Sequence, residues 1–104
     1  MAQYRRCKEK FHSAIYHLAV GKGDVRDRLR DAYKELRVLS GRDVPLHLRK
    51  ELESVRSALT KYGPEVDSDG TFYRKSVDHT LSKIRNSTGQ KIAMRIWALA
   101  QELA

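Results

Sequence analysis

A single cysteine, Cys7, stands among the 104 residues, with only two prolines and six glycines beside it. One thiol closes no internal disulfide, which excludes a disulfide-stapled secreted scaffold. So few prolines and glycines exclude a low-complexity or collagen-like chain. Long apolar runs are missing as well. The longest, Ile96 to Ala100, falls far below the roughly 18 residues that a membrane span needs, so no membrane partner is expected. The chain enters a helical pattern within its first residues, without the continuous apolar core of a signal peptide, and a cytoplasmic location is expected. Metal chemistry has little to start from. His12, His17, His47 and His79 never pair at i+3 or i+4 and there is no second cysteine, so no metal and no cofactor is expected.

Acidic charge is also in short supply: 13 Asp and Glu face 21 Lys and Arg, for a net charge of +8. The excess is uneven. Residues 1–23 carry five basic groups against one acid and residues 73–91 again five against one, whereas residues 63–72 carry three acids and no base. If the two basic segments lie side by side they form one basic face, the electrostatic footprint of a polyanion binder.

What the chain does contain is helical periodicity. Its length fits one helical domain, 1–104, and its apolar residues, 40% of the total, fall on stripes at i, i+3, i+4 and i+7 spacing. Tyr4, Cys7, Phe11, Ala14, Ile15 and Leu18 mark a first helix that ends at Gly21. Cys7 lies on this stripe, where a buried, unreactive thiol is expected. Asp24 stands as N-cap to a second helix carrying Val25, Leu29, Ala32, Tyr33, Leu36 and Leu39, which stops at Ser40-Gly41. Asp43 and Pro45 announce a third, with Leu48, Leu52, Val55, Leu59 and Tyr62, closed by Gly63-Pro64. Residues 63–70 read as an acidic loop. A fourth helix follows with Tyr73, Val77, Leu81 and Ile84 inward. Ser87-Thr88-Gly89-Gln90 fits a capping box that opens a fifth, whose Ile92, Ile96, Leu99 and Leu103, widened by Ala93, Trp97 and Ala100, make it the most central. The fold expected is all-α, a compact bundle of about five helices in which short connections set neighbours antiparallel. No strand is expected.

Several short motifs invite chemistry. Gly21-Lys22-Gly23-Asp24 is a fragment of a phosphate loop without its first glycine or its Ser/Thr, and it reads more simply as a turn. The stretch Glu65 to Ser76 offers oxygen ligands in calcium-loop order, but Ser76 replaces the bidentate Glu and Arg74 and Lys75 add positive charge, so a solvated turn capping the fourth helix is expected. The segment from the fourth helix through Asn86–Gly89 to the fifth has helix-turn-helix length, yet the fifth helix is too apolar to read base edges. Arg74 and His79 have an Arg-x4-His spacing that resembles the motif of the HEPN ribonucleases, with Lys75 where a polar residue such as Asn often follows the Arg. The resemblance implies an all-helical domain whose Arg and His act on the RNA phosphodiester. On a helix at 100° per residue the two would lie about 80° and about 140° from the apolar stripe on opposite sides, so a catalytic site would need two chains.

On the second helix Arg26, Arg30 and Lys34 run beside Asp27, Asp31 and Glu35, as expected of solvated ion pairs. Arg5, Arg6 and Lys10 on the first helix, and Lys75, Lys83 and Arg85 around the fourth, meet little opposing charge and are the expected phosphate contacts. Tyr16 and Val20, on the outer face of the first helix, and Trp97, off the stripe of the fifth, are the expected partner contacts. The function expected is therefore that of a small, basic, non-enzymatic accessory protein of bacterial type, binding nucleic acid or another polyanion independently of sequence. A homodimeric protein–protein interaction module is the alternative.

Overall fold

The computed structural model of the chain describes residues 4–66, 68, 70 and 72–103. Five α-helices dominate: α1 (Arg5–Val20), α2 (Val25–Leu36), α3 (Leu46–Leu59), α4 (Ser76–Lys83) and α5 (Asn86–Leu103). A 3-10 turn at Gly41–Asp43 links α2 to α3, and two short strands, β1 (Glu65–Val66) and β2 (Phe72–Arg74), lie between α3 and α4. The helices bury one continuous core. Cys7, Phe11 and Ala14 from α1 meet Leu29, Ala32 and Leu36 from α2, Leu52, Val55 and Leu59 from α3, Val77 and Leu81 from α4, and Ile92, Ile96, Leu99 and Leu103 from α5. Helix α2 packs against α1, α4 and α5, and α5 packs against α1, α2 and α3. The molecule is compact but longer in one direction, 52 × 27 × 18 Å.

Helix α3 ends at Leu59, which leaves Tyr62 of its expected stripe outside the helix and exposed, and four further elements depart from what the sequence predicts. First, the acidic loop is a ribbon, with β1 and β2 antiparallel, Glu65 opposite Arg74 and Val66 opposite Phe72. Strands of two and three residues are too short to show alternation. Glu65 approaches Arg74 to 3.3 Å across the ribbon, so this carboxylate neither caps α4 nor stands free for a cation. Asp67, Asp69 and Thr71 of the calcium-like pattern lie outside the described residues. Second, α4 starts at Ser76, with Lys75 as a cap residue that makes no side-chain cap bond, so Tyr73 and Arg74 belong to β2 and not to the helix. Third, α2 ends at Leu36 and not near Leu39. There Arg56 donates from Nη2 to the carbonyls of Leu36 at 2.7 Å and Leu39 at 2.5 Å, satisfying the end of the helix from α3. Fourth, Asn86–Gly89 is the first turn of α5 rather than a connecting turn. Gly89 is buried there because α2 passes close: a Cβ at this position would meet the side chains of Val25 at 3.0 Å and Leu29 at 3.4 Å, tight contacts that these side chains would have to ease.

Helix α5 is also less enclosed than its apolar arc suggests. Trp97 is 56% and Met94 69% exposed, because α1 covers only part of that side.

Candidate anion-binding surface

A large share of the positive charge is committed to structure. Three arginines reach helix C-termini, where unpaired carbonyls and the helix dipole favour a cation. Arg28 donates to Leu18 O of α1 at 2.7 Å, Arg56 to the end of α2 as above, and Arg26 to Ile84 O at the end of α4 at 3.3 Å. Others pair with acids on neighbouring helices. Arg30 holds Asp78 of α4 at 2.5 Å, Lys10 of α1 holds Glu35 of α2 at 3.4 Å, and Arg95 of α5 holds Glu51 of α3 at 2.8 Å. The row of local ion pairs expected along α2 is thus partly replaced by bridges between helices. Arg30–Asp27 and Lys34–Asp31 remain, at 3.5 and 3.8 Å, while Glu35 turns to Lys10 and His17.

The six expected phosphate contacts fall in separate places, since α1 and α4 each pack on α2 and not extensively on one another. Arg5 and Arg6 are exposed at the start of α1. With Arg42 of the 3-10 turn they border a shallow cleft beside Tyr4 and Asp43. Asp43 is held by Ser40, which donates to it from its backbone N–H at 2.8 Å and its hydroxyl at 3.0 Å. These bonds keep the Asp43 carboxyl below its ordinary range. Arg6 comes within 3.8 Å of it. Lys10 is half-buried in its pair with Glu35. Lys75 is exposed at the start of α4, and Lys83 and Arg85 are exposed where α4 gives way to α5. Arg5, Lys75, Lys83 and Arg85 have no acidic partner among the described residues. Arg37 shares that property, and Arg42, exposed as well, has only the electrostatic influence of the adjacent Asp43. Neither stands out in the sequence, where Arg37 continues the paired face of α2 in a helical projection and Arg42 lies next to an acid.

Two clefts lie between α2 and α4, separated by the Arg30–Asp78 bridge. One, of about 630 Å³, sets Arg26, Arg30 and Arg74 against Asp24, Asp27 and Asp78, so its charges cancel. The other, of about 440 Å³, is lined by Arg30, Tyr33, Lys34, Arg37 and Lys75 against Asp78 alone, and it is strongly positive.

Arg74 belongs to the first of these clefts, whereas His79 turns to the other side of α4. His79 Nδ1 lies 3.1 Å from the Gly63 carbonyl, and its ring packs against Tyr62. The helical projection placed both residues on α4, but Arg74 precedes the helix, so the angle between them has no meaning. At the turn Gly21–Asp24 the first N–H groups of α2 are occupied by a carboxylate of the chain itself. Asp24 itself accepts from Arg26 N at 2.8 Å and Asp27 N at 3.3 Å, and its pairing with the Arg26 side chain keeps its carboxyl low. Among the described residues no cluster of His, Cys, Asp and Glu could hold a metal ion, and no helix is long and apolar enough to cross a membrane.

Of the expected partner contacts, Trp97 joins Met94, Ile15, Leu18 and Ala19 around a small apolar groove between α1 and α5. Tyr16 and Val20, 61% and 58% exposed, lie outside the lining of that groove. No protein family, curated protein or solved structure matches this chain.

Proposed function

We propose that the protein is a non-enzymatic accessory protein of the cytoplasm that binds nucleic acid without sequence preference, through Arg5, Arg6, Lys10, Lys75, Lys83 and Arg85. In this reading consecutive helices run antiparallel and present these residues on their outer faces. One observation carries it: Arg5, Lys75, Lys83 and Arg85 are exposed cations without acidic partners among the described residues, whereas Arg26, Arg30, Arg56 and Arg95 are held by acids. Long side chains on helix exteriors reach phosphates more readily than base edges, which accounts for the lack of base preference. Lys10 joins only by releasing Glu35.

The test is a salt series of duplex DNA and RNA binding. The log–log slope should be roughly −0.9 per duplex phosphate neutralised, and each of Arg5→Ala, Lys75→Ala, Lys83→Ala and Arg85→Ala should lower its magnitude by about one for all sequences alike. Arg95→Ala, whose guanidinium is held by Glu51 and Ser54, should change it little. Absence of binding at low salt, or an equal loss in Arg95→Ala, removes the proposal.

The second reading, a dimeric interaction module, is favoured by the exposed Trp97 and Met94 beside α1. The ribonuclease suggested by the Arg74/His79 spacing draws no support from a shared cleft, since neither α2–α4 cleft is lined by both residues.

A further inference from the structure

We propose that the positive cleft between α2 and α4 is a binding site for a single nucleoside monophosphate, its phosphate held by Arg37, Lys75 and Lys34 and its base laid against Tyr33 and Pro64. The proposal shares only Lys75 with the polyanion reading and does not depend on the cations of α1.

Charge is the first argument. Four cations line the cleft and Asp78 is its one acid. Asp78 is already neutralised by Arg30 at 2.5 Å, so it does not oppose an incoming anion. Arg37 and Lys75 have no acidic partner among the described residues. The Lys34–Asp31 contact, 3.8 Å between two largely exposed side chains, is of the kind that contributes little and gives way easily. At the carbonyl end of α2, which would repel a phosphate beside Arg37, Leu36 O accepts from Arg56, as does Leu39 O just beyond the helix. The positive potential of the cleft therefore comes from side chains on two helices, with the helix end partly offset by a cation.

Shape and polarity are the second argument. A cleft of about 440 Å³ lies toward the small end of ligand sites, which run from about 300 to 1,000 Å³. It suits one nucleotide rather than a duplex. Tyr33 is half-buried and packed on the core, so its ring is held in place without help from the ligand, and an aromatic face next to a phosphate-holding cation pair is the usual arrangement for stacking a base. The neighbouring α2–α4 cleft is larger, but its three arginines face three aspartates and it offers an anion no net attraction.

The experiment follows backbone amide resonances of the full chain at moderate salt during three titrations: inorganic phosphate, ribose 5-phosphate and adenosine 5′-monophosphate. Saturating shifts centred on Tyr33–Arg37 and Lys75–Val77 are expected, with affinity rising in that order of probes. The double variant Arg37→Ala/Lys75→Ala should weaken the nucleotide by about tenfold or more, the loss expected for two charge-assisted contacts, with its other resonances unmoved. Lys83→Ala should leave the affinity within about twofold, as for a remote surface charge. Tyr33→Leu keeps the buried contact and should abolish the preference of nucleotide over ribose phosphate while leaving phosphate binding in place. Linear shifts spread equally over α1, Lys83 and Arg85 overturn the proposal, as does saturable binding that the double variant leaves intact. Equal affinity for all three probes overturns the nucleoside assignment. Duplex binding without a nucleotide response removes this cleft and leaves the polyanion reading standing, and the opposite pattern does the reverse.

Discussion

Cys7 shows how far a single residue can be read. Its place on the first apolar stripe predicts burial, and the structure buries it fully among Phe11, Ala14 and the neighbouring helices. Burial, then the charge of Asp43, push its thiol pKa up, against the opposing pull of Arg56, so at neutral pH it is a protonated packing group. Leu52 and Ile96 follow the same logic, each at the centre of a stripe and each buried. Truncating either to Ala should cost about 2 to 5 kcal/mol, measured by urea denaturation. A loss below about 1 kcal/mol at both sites would contradict the core described above. Gly89 is the counter-example. A Cβ there would press on Val25 Cγ1 at 3.0 Å, a residue remote in sequence, whereas locally Gly89 looks like a turn former.

At the scale of elements, helix ends are where charge and backbone meet. Arg56 is the side chain that closes α2, and Arg56→Met retains its aliphatic stem while removing the donors to Leu36 and Leu39. The variant should lose about 1 to 3 kcal/mol, and amide exchange should quicken first in the last turn of α2. Retained stability with unchanged exchange would mean that water replaces the guanidinium without cost. Asp24 and Asp43 act at the opposite kind of end. Asp24 caps α2 and Asp43 closes the capping box of the 3-10 turn with Ser40. Both carboxyls lie below their ordinary values in the fold, through Arg26 for Asp24 and through the Ser40 hydrogen bonds for Asp43. A lowered folded pKa means a contribution that is complete above the unfolded value and lost as pH falls through the folded one. Stability should therefore drop between about pH 5 and pH 2, and the Asp24→Asn/Asp43→Asn variant should show a shallower acid limb in denaturation curves taken across that range. An unchanged limb would assign the acid sensitivity to other carboxylates.

For the whole molecule the count of 21 Lys and Arg overstates the cations available to a partner, because Arg26, Arg28 and Arg56 serve helix ends and Arg30, Lys10 and Arg95 bridge helices. The apolar side of the surface has its own test. Trp97 is 56% exposed in the isolated chain, so acrylamide should quench its emission readily in dilute solution. If two copies meet across the α1–α5 groove, quenching should fall as concentration rises and light scattering should report a dimer. A monomer at high micromolar concentration with unchanged quenching would discard the dimeric reading.

Five helices and the core that joins them could be read from sequence, because an amphipathic stripe is a local property: spacing alone says which side of a helix must leave water. Leu29, Leu36, Leu81, Ile92 and Leu99 are buried as their positions require. What the chain could not specify locally was decided by contacts between distant residues. The end of α2 depends on Arg56, the close passage of α5 on Gly89 against Val25, and the ribbon on Glu65 facing Arg74. Charge belongs to the same class. Sequence counts cations, whereas the field at a surface depends on which of them are already opposed, and that is set by helix packing that brings Arg30 to Asp78 while leaving Arg37 and Lys75 open beside Tyr33.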